Sequence, residues 1–411
     1  MPLYLKIAYG QSKDSIRVQL LDEWMQRTKG SVVRLHIIKD SEYPSHPYNL
    51  INLLRAYSHQ WLSIHLQVST SWLGFFGTTD NVIKLSFPNL CHFSLYGLPP
   101  SPAVSLDAAV PALRYLTIGR HLQGSHIMIS DERDFFADLK PAFVLPFVQI
   151  TLLKLSQISF SQQLLGDFPA LVEAQLKDIK LLSNDNHGNF IHSTLSKLDV
   201  CFWNQNDLRE LLSALSLPQL KSLRVEVTVY KSSHFAMDIL HPFLRQSHCK
   251  VTELVLRYAI RAGDDHDIVE FLETLPYLRE LNICDTAIYS DRSFATGLGG
   301  FFFNALHPLR NPLYLSSLEV LWYEGPVGLP MEDAIRPAIL RSRFTEEDNT
   351  CDRECEPTSA MLRKLTISAN NMAKKTLSQV SLEAKLLQLL KNLMDLGVFE
   401  LTDMHGDVYF F

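Results

Sequence analysis

The chain has little of what usually announces chemistry or a compartment. Its 411 residues hold six cysteines, Cys91, Cys201, Cys249, Cys284, Cys351 and Cys355, scattered without the density of a disulfide framework. No Asn-x-Ser/Thr sequon occurs. The opening MPLYLKIAYG lacks a charged segment followed by a sustained apolar run, so no signal peptide is expected. No stretch approaches the roughly 18 uninterrupted apolar residues of a membrane span, so no membrane partner is expected either. Together these absences point to the cytoplasm or the nucleus, with reduced thiols. A net charge of −6 and a pI near 6.2 argue against a nucleic-acid partner held by bulk charge.

Catalytic signatures are missing too. There is no G-x-S-x-G, no H-E-x-x-H and no kinase signature set. Cys351 and Cys355 are four residues apart, the wrong spacing for C-x-x-C, and no paired histidines follow. Gly297, Gly299 and Gly300 lack the lysine of a P-loop and do not complete G-x-G-x-x-G after a strand. They read as a turn before an apolar helix, Phe301 to Leu306. The acid pairs Glu346/Asp348 and Asp264/Asp267 lie in polar stretches and read as solvated. No catalytic, cofactor-binding or metal-binding residue is expected, and the chain does not read as an enzyme.

What is present is a repeat. PYLRELNI, Pro276 to Ile283, places Leu278, Leu281 and Ile283 in the pattern apolar, two residues, apolar, one residue, apolar. Four further copies share its proline two positions ahead: Leu90/Phe93/Leu95, Leu113/Leu116/Ile118, Leu171/Ala174/Leu176 and Leu220/Leu223/Val225. Eight more lack the proline. They begin at Val32, Trp61, Ile150, Leu195, Val251, Leu318, Leu362 and Leu396. The thirteen copies follow one another at spacings of 21 to 44 residues. The last two apolar positions of each copy are two apart and share one face of a strand. One such strand cannot bury that face alone, whereas stacked copies form a parallel sheet over a continuous core.

The expected fold is therefore α/β, a leucine-rich-repeat solenoid or horseshoe. Parallel strands would line its concave face and helices its convex face, as one domain over residues 1–411. Helices are expected near Ser15–Thr28, Gln162–Phe168, Asn206–Leu215, Ala236–Gln246 and Asp267–Leu275, with Asp207 and Asp267 placed as N-caps. Gly30 is the expected stop of the first helix. Residues 341–360 are polar and poorly patterned, and read as an exposed insertion prone to disorder. Residues 377–411 read as a capping helix, Leu377 to Met394, with a last strand and a tail.

Residues flanking the central apolar position of each copy point to the other face. Arg34, His36, His65, His92, Tyr115, Lys154, Arg224, Glu253, Glu280 and Trp322 are the candidate partner-binding residues on the concave face. His36 and His65 should be neighbours in one row, about 4.8 Å apart along the sheet. Trp322 is the most informative, because aromatic residues and arginines serve as interface anchors.

Five stretches carry a family resemblance: LLDEWMQRTKGSVVRLHI (20–37), NLINLLRAYSHQWLSIHL (49–66), FPNLCHFSLYG (87–97), VPALRYLTIG (110–119) and LPFVQITLLKLSQI (145–158). A helix with a tryptophan and a basic residue precedes a strand, and a leucine-rich helix ending in Ser58-x-x-Trp61 precedes the next. In this order they resemble the repeat region of fungal F-box-like leucine-rich-repeat proteins. The resemblance implies a protein ligand on the concave face and service as a substrate receptor of an SCF-type ubiquitin ligase. The chain opens almost at the first repeat strand, so an F-box is not expected within it. A Skp-type adaptor is then a partner only through an F-box outside or hidden in this chain. The alternative is a leucine-rich-repeat scaffold or regulator with no ubiquitin link.

Overall fold

A computed structural model of the chain describes residues 3–9, 14–28, 30–39, 52–54, 56–67, 87–96, 110–119, 146–160, 162–181, 190–202, 205–227, 237–258, 265–284, 298–307, 310–311, 313–325, 362–368, 391, 395 and 399–402. The chain separates into two units, Met1–Leu195 and Ser196–Phe411. Each is an α/β structure built on parallel strands.

In the N-terminal unit the strands are β1 (Leu3–Tyr9), β2 (Val33–Lys39), β3 (Trp61–Gln67), β4 (His92–Tyr96), β5 (Tyr115–Gly119) and β6 (Leu152–Ser156). The short β7 (Ser159–Phe160) precedes β8 (Glu173–Lys177), and the short β9 (Lys180–Leu181) and β10 (Phe190–Ile191) follow. β1 to β6 and then β8 pair in that order, every pair parallel. β7 and β9 form a small parallel pair of their own.

The C-terminal unit holds β11 (Lys197–Phe202), the short β12 (Leu215–Ser216), β13 (Ser222–Val227), β14 (Glu253–Arg257), β15 (Glu280–Cys284), β16 (Val320–Glu324), β17 (Lys364–Ser368) and β18 (Phe399–Thr402). β11 and β13 to β18 pair in chain order, again all parallel. All thirteen expected copies are strands, and their apolar positions fall in register. Leu35, Ile64, Phe93, Leu116, Leu153 and Ala174 form one row. Leu198, Leu223, Leu254, Leu281 and Leu321 form the matching row of the C-terminal unit. These residues are at most 6 % exposed, so each leucine contributes on the order of 1.5–3 kcal/mol of burial.

The prolines have a specific task. Pro88, Pro111, Pro169, Pro218 and Pro276 each sit second in a four-residue turn. The N–H of Leu90, Leu113, Leu171, Leu220 and Leu278 donates back to the carbonyl of Phe87, Val110, Phe168, Leu217 and Leu275 at 3.0 to 3.2 Å. Proline presets the backbone for that position. The residue ahead of each proline is apolar and buried, a core position that the three-residue pattern misses. Beyond the turn, a single carbonyl accepts from two successive N–H groups of the next strand. The Lys221 carbonyl takes Thr252 and Glu253, and that of Thr252 takes Arg279 and Glu280.

The connectors depart from expectation in several places. Gln162–Asp167 is a 3-10 helix, not an α-helix, because Gly166 and Pro169 leave too few residues for a sustained turn of α-helix. Among the described residues the α-helices with both ends in view are α1 (Asp14–Arg27), α2 (Gln205–Ser213), α3 (Met237–Ser247), α4 (Asp265–Glu273) and α5 (Gly300–Ala305), and residues 52–54 are helical as well. Asp207 and Asp267 lie inside the first turns of α2 and α4. There, past the expected cap position, their charge meets the positive end of the helix. Gly30 follows α1 with φ +82°, the left-handed backbone that makes glycine a helix stop. Val32 is exposed and Val33 is buried in its place, since β2 shifts register against β3 between Val33 and Arg34. The insertion at 341–360 and the tail at 408–411 lie outside the described residues, as does the helix Leu377–Met394 apart from Lys391.

Candidate functional site

Strand pairing sorts the candidate residues into rows. In the N-terminal unit Arg34, Ser63, His92 and Tyr115 are successive neighbours. His36, His65, Ser94, Thr117 and Lys154 form the next row. The expected His36/His65 adjacency is met, with ring centroids 4.0 Å apart and the rings perpendicular. His65 in turn packs on Tyr96 at 4.9 Å, and His92 lies 6.0 Å from the Tyr115 ring.

These large side chains cover the small ones between them. Ser94 and Thr117 belong to the outward row yet are buried, and Ser94 Oγ is 3.0 Å from His92 Nε2. Burial lowers the His92 pKa, with Lys154 and Arg34 pushing the same way. His92 is therefore neutral near pH 7 and can present one donor and one acceptor. Gly119 suits a tight place: a Cβ there would displace the Ser156 hydroxyl and press on the Ser156 carbonyl and the Tyr96 ring at 3.1 and 3.2 Å.

The C-terminal rows carry paired charge. Asp199, Arg224, Val255, Asn282, Trp322 and Thr366 are successive neighbours. Arg224 lies 3.7 Å from Asp199 and donates to Glu226 at 3.4 Å. Glu253 and Glu280 are adjacent in the other row, followed by Val320 and Lys364. Trp322 stands 42 % exposed between Asn282 and Thr366, with polar side chains for neighbours along its row. Thus Arg34, His36, His65, His92, Tyr115 and Lys154 are gathered on one unit, and Arg224, Glu253, Glu280 and Trp322 on the other.

No group of three or more His, Cys, Asp or Glu side chains able to hold a metal ion is found among the described residues. Trp61 is core: it is fully buried and its indole N–H donates to the Leu54 carbonyl at 2.8 Å. Leu298 and Gly299 lead into α5, and the Gly299 N–H donates to Asp265 Oδ1 at 2.8 Å. A carboxylate at that position would repel a phosphate. Among the described residues no helix is long and apolar enough to cross a membrane. Comparison of the chain with protein-family models finds no match, and comparison with the curated proteins finds none either.

Proposed function

We propose that the chain is a leucine-rich-repeat solenoid, a horseshoe that acts as a non-enzymatic recognition module in the cytoplasm or nucleus. Its outward rows form the concave face and take a protein partner. By the resemblance to fungal F-box-like proteins, that partner is a substrate presented to an SCF-type ubiquitin ligase. The observation that carries the reading is the in-register succession of strands. It sets polar and aromatic side chains at about 4.8 Å intervals on an uninterrupted face in each unit. Such a wall holds its contacts without reordering, which lowers the entropic cost of association.

The test is affinity purification of the chain from its native cells, followed by mass spectrometry. A second form carries any upstream in-frame coding sequence. Recovery of a Skp-type adaptor and a cullin with either form supports the receptor reading. Recovery with the extended form alone places the docking element upstream. Recovery with neither overturns the ubiquitin link and leaves the scaffold alternative, with the co-purified proteins as its candidate clients.

A further inference from the structure

The C-terminal unit has a second surface feature, apart from the rows. Two adjoining grooves of about 480 and 560 Å³ open where β13, β14 and β15 begin, and they share His248, Lys250 and Tyr277. Their walls bring together Lys221, Arg245, Lys250 and Arg279, and among the described residues no Asp or Glu lines either groove. All four cations are exposed.

The repeat itself assembles them. Lys221 and Arg279 each stand one residue ahead of a strand, and the Thr252 backbone links them through the paired carbonyl bonds. Their backbones are therefore two strand spacings apart, about 10 Å. Lys250 is two residues ahead of Thr252, as Tyr277 is ahead of Arg279, and its ammonium lies 5.0 Å from the Tyr277 ring centroid.

The charge is poorly compensated. Among the described residues neither Lys221 nor Arg245 makes an ion pair. Arg279 shares one carboxylate, Glu319, with Arg363, at 3.9 and 3.6 Å. The C-terminus of α3 adds roughly half a negative charge, too little to balance four cations. This concentration of positive charge sits in a chain whose net charge is −6. Cys249 takes no part as a nucleophile: burial pushes its thiol up to about 11, so it stays protonated at neutral pH.

The geometry points to a docking groove for an acidic segment of a protein partner, with Asp or Glu side chains two to three residues apart in extended conformation. Three extended residues span about 10 Å, the separation of the Lys221 and Arg279 backbones. Apolar walls from Val251, Leu275 and Pro276 suit a side chain between the acids. A nucleic acid fits less well. Lys250 already occupies a face of the Tyr277 ring that a base would stack on, and the chain's net charge repels a long polyanion. The groove opens at the strand starts, so this inference does not depend on what the outward rows bind.

The test uses the full chain and a fluorescein-labelled hexaglutamate peptide, followed by anisotropy, with a six-nucleotide thymidine oligomer and a hexalysine peptide as comparators. Hexaglutamate is expected to bind, and hexalysine is not. Raising salt from about 0.1 to 1 M, which shortens the screening length from about 10 to 3 Å, should abolish binding. The double variant Lys221→Glu/Lys250→Glu should weaken it by about tenfold or more, chiefly through the association rate. Arg209→Glu, an exposed reversal on α2, should change it less than about twofold. All substituted side chains are exposed, and an unchanged circular-dichroism melt confirms that the variants fold. Absence of hexaglutamate binding, equal weakening by Arg209→Glu, or tighter binding of the thymidine oligomer would each overturn the proposal.

Discussion

The two units bury the same kind of strand row by different means. In the N-terminal unit α1 joins β1 to β2 and residues 52–54 are helical, but the described connectors at Ser58–Gln60, Phe147–Gln149 and Gln162–Asp167 are 3-10 turns. In the C-terminal unit they are α-helices whose apolar stripes face inward. Leu208, Leu211 and Leu212 bury the stripe of α2, and Ile268, Val269, Phe271 and Leu272 that of α4. The outward faces differ as well. The N-terminal face is rich in histidine and tyrosine, packed ring on ring, whereas the C-terminal face carries charges of both signs, Arg224 beside Asp199 and Glu226, and Glu253 beside Glu280. The comparison teaches that strand register here does not depend on the connector. The buried turn and the paired carbonyl bonds set it, so connectors and faces are free to diverge.

The largest expected effect separates the two tryptophans. Trp61→Ala removes a fully buried ring and strands the Leu54 carbonyl, and should cost about 3–5 kcal/mol. Trp322→Ala, at an exposed position, should cost less than about 1 kcal/mol. Denaturant unfolding of both variants decides the matter. A comparable loss from Trp322→Ala would mean that its face is packed and unavailable to a partner.

An intermediate effect concerns acid. His92 and His192 both belong to the N-terminal unit, and burial lowers both pKa values, opposed at His192 by its bond to the Phe168 carbonyl. His192 Nε2 lies 3.0 Å from that carbonyl, while Nδ1 accepts from the Leu195 N–H at 3.2 Å. Protonating Nδ1 would turn that acceptor into a donor facing a donor. Folded-state values below 6.5 mean that the unfolded chain binds more protons in the window just beneath it. Stability is full above about pH 6.5 and falls as pH drops through the folded values. Hydrogen exchange between pH 7 and 5 should show the segments around β4 and β10 loosening, and His192→Gln should flatten the response. If exchange there keeps only its intrinsic pH dependence, the two histidines do not control this unit.

The smallest effect tests the turns. Pro218→Ala and Pro276→Ala keep the backbone bond to Leu217 and Leu275, and should each cost about 0.4–1 kcal/mol by freeing the unfolded chain. A loss well above that, measured by thermal unfolding, would show that the proline ring is itself packed into the core.

Much of this was legible in the sequence, for local reasons. The pattern from Leu278 to Ile283 holds all its information within six residues, so the thirteen strands could be placed one by one. The outward rows followed from the two-residue period of a strand. Val32 against Val33 could not be resolved, because the two residues are identical and only the shift of β2 against β3 chooses between them. Ser94 and Thr117 were equally hidden, since what buries them is the bulk of side chains on neighbouring strands. The groove leaves only a partial trace in the sequence: Lys221 and Arg279 stand at the same place in their copies, but Thr252 takes that place between them and Lys250 lies two residues earlier, at the place of Tyr277.

The succession of strands has a consequence for how such a chain can change. Within each unit the neighbour of each repeat strand is the strand of the next copy, so the stretch from one copy to the next behaves as a cassette. Excising residues 251–277 would remove β14 and α4 and set β13 beside β15. Arg224 would then face Asn282 directly, and Ser222 would face Glu280, with the remaining order intact. A surface assembled this way can be lengthened, shortened or rewritten one column at a time, and its specificity can drift without a new fold being found.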